Sequence, residues 1–260
     1  MAATIAIDAA VAERFALVLA RVAGVVGLAP VLGGGNVPRV VKAGLALSMT
    51  LLLAPRAVLP TLSGGLPELA VAIGGEVLVG ALVAFVIVAL FAAVQLAGQE
   101  IGIQMGFAAV SQFDPTSQSS SVVVAQFQFI VATLLFFALD GHHRAIEALA
   151  VSFSRVPLLE AQLSGGVMTL IVTVTAGVLV AAISVAAPVI AAMLLTNLGL
   201  GILARTLPQM NVFMVAFPLQ ITVGLLGVGL TLPLLTWWMG HGVGELRDQF
   251  GYLLRHLVAF

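Results

Sequence analysis

The chain contains no cysteine, which excludes disulfides, thiol catalysis and cysteine-held metal sites. Charge is almost as scarce. Only 8% of the 260 residues are Asp, Glu, Lys or Arg, while 61% are hydrophobic and the mean hydropathy is +1.20. So few charges do not cover a water-facing exterior, and an ordinary soluble domain is excluded. The formal net charge of −1 removes any electrostatic basis for nucleic-acid binding. The chain also lacks a Gly-rich phosphate loop and a nucleophile elbow, so the sequence gives an enzyme no support and points to no cofactor.

What is abundant is long apolar sequence. Six segments stand out, at about residues 15–32, 40–59, 69–96, 122–139, 167–198 and 212–238. Each is long enough to cross about 30 Å of hydrocarbon as a helix. Transmembrane strands would be about ten residues long and alternate in polarity, which these runs do not. The fold class is therefore all-α, a polytopic membrane protein of helical hairpins. Pro30, Pro188, Pro218 and Pro233 lie in or near the apolar segments and predict kinks. The carbonyls they free must be satisfied by protein or water. Together with 27 glycines, this predicts tight helix–helix packing over solitary helices in lipid. The N-terminal stretch carries Asp8 and Glu13 and no basic region, so the first apolar segment reads as a retained anchor and not as a cleaved signal.

The connectors at 33–38, 60–67 and 199–211 are short and rich in Gly and Pro. Residues 140–160 differ, because charged and apolar residues recur there at helical spacing. An amphipathic helix lying along an interface or against a partner is expected. The tail at 241–260 has the same character, and Trp237 and Trp238 fit an interfacial belt before it. The whole chain reads as one membrane domain. With six simple crossings, one side collects Arg56, Arg144, Arg155, Arg247 and Arg255, and the other Arg39, Lys42 and Arg205. The excess of basic residues places both termini in the cytoplasm.

Charges inside apolar segments need partners, since one at the bilayer centre costs about 2.5–3.5 kcal/mol. Arg21 and Glu76 are such charges. One acid and one base without a histidine or second acid make a poor proton wire, so a structural pair is the favoured reading, with each other or with a neighbouring subunit. Glu100 and Arg205 join them as candidates for polar contacts within the chain or between subunits, with no pairs assigned. His142, His143 and Glu147 invite a metal reading, but no third ligand follows at convincing spacing, and none is assigned.

The most informative stretch is a polar island at 95–121, QLAGQEIGIQMGFAAVSQFDPTSQSSS. Gly98, Gly102 and Gly106 form two consecutive GxxxG steps, a helix-packing face. They predict that the third helix continues about three more turns. Met105, Phe107 and Phe113 cluster near its tip, and Asp114-Pro115 stops the helix. Three readings stay open on these residues alone. They are an extramembrane loop, the broken-helix site of a secondary transporter of small molecules or ions, with its site at 98–121, and a constriction or plug in a protein-lined pore.

Several motifs carry a resemblance. They are Gly102-Ile-Gln-Met-Gly-Phe107 with Asp114-Pro115, then Gly141-His142 leading through Ser152-Phe153 to Pro157, then Ala187-Pro188 and Leu198-Gly199. The most specific runs from Ala204 through Arg205-Thr-Leu-Pro-Gln-Met-Asn-Val-Phe213 to Phe217-Pro218. Together they resemble the FliR family of flagellar biosynthetic proteins, subunits of the type III secretion export gate, over nearly the whole chain. The resemblance implies a non-enzymatic subunit, without cofactor or metal, in the bacterial inner membrane at the flagellar basal body. It implies assembly with FliP and FliQ into a helical, cone-like channel, with FlhB around the entrance and unfolded flagellar proteins passing through. It further implies that residues 106–121 project into the lumen as a plug. Met105, Gly106, Phe107, Phe113, Asp114 and Pro115 would then form the constriction, with Gly98 and Gly102 packing the helix that holds it. One departure is present: family members often carry Lys where this chain has Gln220, which puts a charge contact there in doubt.

Overall fold

The computed structural model describes residues 9–33, 37–58, 65–107, 122–209 and 211–258. Among them the regular structure is helical, apart from one isolated bridge between Ala161 and Val258. Eight α-helices follow in chain order: α1 (Ala9–Leu28), α2 (Pro30–Gly33), α3 (Arg39–Leu53), α4 (Gly65–Gln104), α5 (Val122–Ala138), α6 (Gly141–Arg155), α7 (Gly165–Thr206) and α8 (Val212–His256).

Local chemistry sets most of the breaks. Ala29 separates α1 from α2 because Pro30 disfavours helical geometry in the residue before it. Pro55 sits in a 3-10 turn at Ala54–Arg56 that closes α3. Asp140, in the left-handed region at φ 57, separates α5 from α6. Pro188 lies inside α7, and Pro218 and Pro233 inside α8, without ending either helix.

Each apolar segment expected from sequence carries a helix among its described residues, but the lengths differ from that reading. α4, α7 and residues Met214–His256 of α8 are long and apolar enough to cross a membrane, and the bent pair α5–α6 makes a fourth span if it is counted as one. The first two segments fall short. α1 carries Glu13, Arg14 and Arg21, and α3 has 15 residues, a rise of only about 22 Å. The last segment overshoots: its helix does not stop near Trp238 but continues to His256.

The chain divides into two compact units. The first comprises Met1–Ala89, Asp140–Val174 and Gly244–Phe260. Its core includes Leu17, Val18, Val22, Val79, Val83, Phe153, Leu158 and Leu253. α1 and α4 approach each other through glycines. A Cβ on Gly24 would lie 2.7 Å from the Val77 carbonyl oxygen, and one on Gly80 would strike the Arg21 carbonyl oxygen. At the end of α8 the Gln162 amide donates to the Leu257 carbonyl at 2.8 Å, and Ser164 Oγ donates to the His256 carbonyl at 2.6 Å. The segment before α7 thus supplies donors to carbonyls that the end of α8 leaves open.

The second unit comprises Leu90–Leu139 and Thr175–Val243. Phe91 packs between Phe129 and Phe136, with ring centroids 5.5 and 5.3 Å away. Glycines again permit close contact: Gly227 faces Val189, and Gly242 faces Leu90. In lipid there is little hydrophobic force between helices, so such close van der Waals contacts carry much of the packing. The helices differ in how much of their most apolar stretch is covered. The share is 61% in α4, 33% in α7 and 17% in α8. α4 is therefore largely enclosed by its own chain, whereas α8 leaves Leu225, Leu226 and Leu230 uncovered.

Candidate functional site

The polar island begins as helix. α4 runs unbroken through Gln95, Gly98 and Gly102 to Gln104. Gly98 is needed where it stands, because a Cβ there would come within 2.5 Å of Ala125 Cα and 2.9 Å of Gln128 Oε1 on α5. Gly102 is buried, and Glu100, two residues before it, is half-buried.

The helix then stops at a glycine. The Met105 amide still donates to the Ile101 carbonyl, but the Gly106 amide donates to Ile103, a tighter turn, with Gly106 at φ +83. This left-handed residue just past a helix end is the usual glycine stop. It also packs closely: a Cβ on Gly106 would sit 3.0 Å from Gln220 Oε1. Gln220 donates from Nε2 to Asn197 Oδ1 at 2.8 Å. Gln220 therefore makes a neutral amide contact, linking α8 to α7.

Two side chains flank the stop. Met105 is fully buried, and its thioether lies over Gly224 of α8, where any Cβ would collide with it. Phe107, half-buried, meets Phe217 edge-on with centroids 6.5 Å apart. The structure thus brings Met105, Gly106 and Phe107 together with Asn197, Phe217, Gln220 and Gly224. Phe113, Asp114 and Pro115 lie outside the described residues. Sequence reasoning missed Asn197 and Gly224. A lone amide in the apolar run of α7 was the available signal for the first, and nothing but small size marked the second.

Arg21 and Glu76 form a second polar centre, in the first unit. Arg21 is 0% exposed and Glu76 1%, and Arg21 Nε donates to Glu76 Oε2 at 2.6 Å. Arg21 Nη1 donates to the carbonyls of Ser152 at 3.0 Å and Val156 at 2.9 Å, and its guanidinium carbon lies 4.6 Å from the centre of the Phe153 ring. Glu76 Oε1 accepts the Leu159 amide at 3.0 Å, where Leu159 has φ 71. A guanidinium placed at the C-terminus of α6 answers both its open carbonyls and the negative end of its dipole. The arrangement fixes three elements to one another, and among the described residues no further acid or imidazole hydrogen-bonds to the pair.

The remaining candidates are peripheral. Arg205 is exposed in the last turn of α7. Asp140, His142 and His143 offer ligand atoms within 4.8 Å of one another, and His143 Nδ1 is 3.2 Å from Asp140 Oδ1. Asp140 and His143 are exposed, and Glu147 is not part of that group.

A family model described as bacterial export proteins, family 1, matches residues 12–246. The flagellar biosynthetic protein FliR of Pectobacterium carotovorum subsp. carotovorum is 34% identical over 241 residues, covering 91% of each chain. The FliR of Escherichia coli strain K12 is 32% identical over 242 residues, covering 92% of each. That of Caulobacter vibrioides is 31% identical over 239 residues, covering 90% of this chain and 94% of its own.

Proposed function

The chain belongs to the bacterial export proteins, family 1, and from that premise we propose that it is a non-enzymatic subunit of the flagellar type III export gate. In this reading residues 106–121 plug the channel through which unfolded flagellar proteins leave. Met105, Gly106, Phe107, Phe113, Asp114 and Pro115 form the constriction, and Gly98 and Gly102 pack the helix that carries it. FliP, FliQ and FlhB are its neighbours, and the flagellar basal body in the bacterial inner membrane is its place.

The family match, which spans the polar island, carries the reading. Two features support it. The glycine stop gives a loop beginning at residue 106 a rigid base, held against Gln220 and Phe217. The uncovered apolar surface of α7 and α8 suits subunit contacts as well as lipid.

The test removes residues 111–118 and measures ion leakage through the assembled complex. Raised leakage is expected; unchanged leakage in a complex that still assembles removes the plug role. Stoichiometric co-purification with other small membrane proteins is expected as well. A stable monomer that binds a small substrate would instead favour a transporter with its site at 98–121.

A further inference from the structure

Four of the five arginines that the sequence places on one side of the membrane line a single cleft. Arg144 and Arg155 come from α6, and Arg247 and Arg255 from the end of α8, all within the first unit. The cleft has a volume of about 820 Å3. Glu147 and Asp248 also line it, leaving four positive charges against two negative ones. No ion pair joins an acid to Arg155, Arg247 or Arg255 among the described residues. Two of the guanidiniums are steadied by backbone: Arg144 Nη1 donates to the Gly244 carbonyl and Arg255 Nε to the Gly251 carbonyl, each at 3.2 Å.

The rest of the lining is apolar. Phe250 and Leu254 are 4% and 3% exposed, and Val151 adds an exposed methyl edge. A cleft with guanidiniums beside the exposed aliphatic carbon of Val151 and of the arginine stems matches an amphiphile. Guanidiniums bind phosphate oxygens in a fork, and their weak hydration suits a partly enclosed site. Inorganic phosphate would use the charges but gain nothing from Val151 and the aliphatic arginine stems. Three of the helices are long and apolar enough to cross a membrane, and basic pockets on the cytoplasmic side of membrane helices attract anionic headgroups.

We infer that this cleft binds the phosphodiester headgroup of an anionic phospholipid, with the arginines on the phosphate and the glycerol and first methylenes on Val151 and the aliphatic stems of the arginines. The inference rests on the membrane class of the chain and not on the export-gate reading.

Native mass spectrometry of the full chain in a neutral detergent tests it, with phosphatidylglycerol or phosphatidylcholine added. Adducts of phosphatidylglycerol should exceed those of phosphatidylcholine by about tenfold, and the double variant Arg155→Gln/Arg247→Gln should abolish that preference. The variant Arg155→Lys/Arg247→Lys, which keeps the charge, should retain most of it. If the glutamine variant fails to fold, the wild-type lipid preference and the lysine variant decide the matter. Equal adducts of the two lipids in the wild type would overturn the inference, as would a glutamine variant that still prefers phosphatidylglycerol. Displacement of the lipid by low millimolar inorganic phosphate would assign the cleft to free phosphate and overturn the lipid source. Loss of co-purifying membrane proteins from the glutamine variant, with its lipid preference intact, would make the cleft a protein-contact surface and also overturn it.

Discussion

Gly106 and Gln220 meet where α4 ends: the glycine holds φ +83, and its Cα faces the amide oxygen of a side chain that is itself bonded to Asn197. Backbone geometry and packing therefore demand the same residue at the base of the proposed plug. Gly106→Ala should destabilise the protein by about 1–3 kcal/mol, through the left-handed backbone and the tight contact together. Gly106→Asn should cost less in backbone strain, because asparagine tolerates that region better. A thermal-shift series of the two variants checks the order; equal losses would show that space, and not conformation, governs the position.

Met105 and Gly224 are complementary in shape. Met105→Ala should cost about 2–5 kcal/mol by leaving a cavity, and Gly224→Leu about 1–3 kcal/mol by overfilling the same place. The double variant should be more stable than the sum of the two losses predicts, since each change relieves the other. Additive losses in a double-mutant cycle would show that the two residues do not share a site.

The buried ion pair makes a sharper prediction. Arg21→Met or Glu76→Met alone strands a buried charge and should cost about 3–5 kcal/mol. The double methionine variant should recover part of that loss. It will not recover all of it, because the Ser152 and Val156 carbonyls and the Leu159 amide lose their partners too. Unfolding monitored in one detergent compares the three. A double variant as unstable as the sum of the singles would refute the pairing.

Glycine positions should divide into two groups. Gly24→Val and Gly80→Val should disrupt the α1–α4 contact, and Gly98→Val the α4–α5 contact, because backbone atoms occupy the space a side chain needs. Gly44→Ala and Gly229→Ala meet nothing within 4 Å and should fold as well as the parent chain. Folded yield after detergent extraction reads this difference; disruption at Gly229 matching that at Gly80 would contradict it.

Much of this was legible in the sequence for physical reasons. Continuous apolar runs fix helices, and Pro30 and Pro55 mark breaks because ring closure acts locally. Gly106 was not legible as a break: its spacing from Gly98 and Gly102 read as a packing step of a continuing helix with the stop at Asp114-Pro115, whereas α4 ends at Gln104 and Gly106 takes φ +83. The continuation of α4 through Gln95 to Gln104 followed from glycine spacing. The extension of α8 did not, because the continuous apolar run gives way to an amphipathic tail after Trp238, and that change of character does not interrupt the helix. The partner of Arg21 was a matter of choice among distant charges. Glu76 lies 55 residues away and Ser152 131 away, and no periodicity links such separations. The arginine cleft was hidden for the same reason, since its two halves are about a hundred residues apart in sequence.

The way α6 is finished also imposes a timetable on synthesis. Its last carbonyls are closed by Arg21 from α1, and the turn after it by Glu76 from α4. Glu76 precedes Leu159 by 83 residues, which at about 5–20 residues per second is roughly 4–17 s of translation. Throughout that interval the guanidinium and carboxylate are made but their backbone partners are not. The early helices must wait, with Arg21 and Glu76 short of their backbone partners, for a segment not yet synthesised.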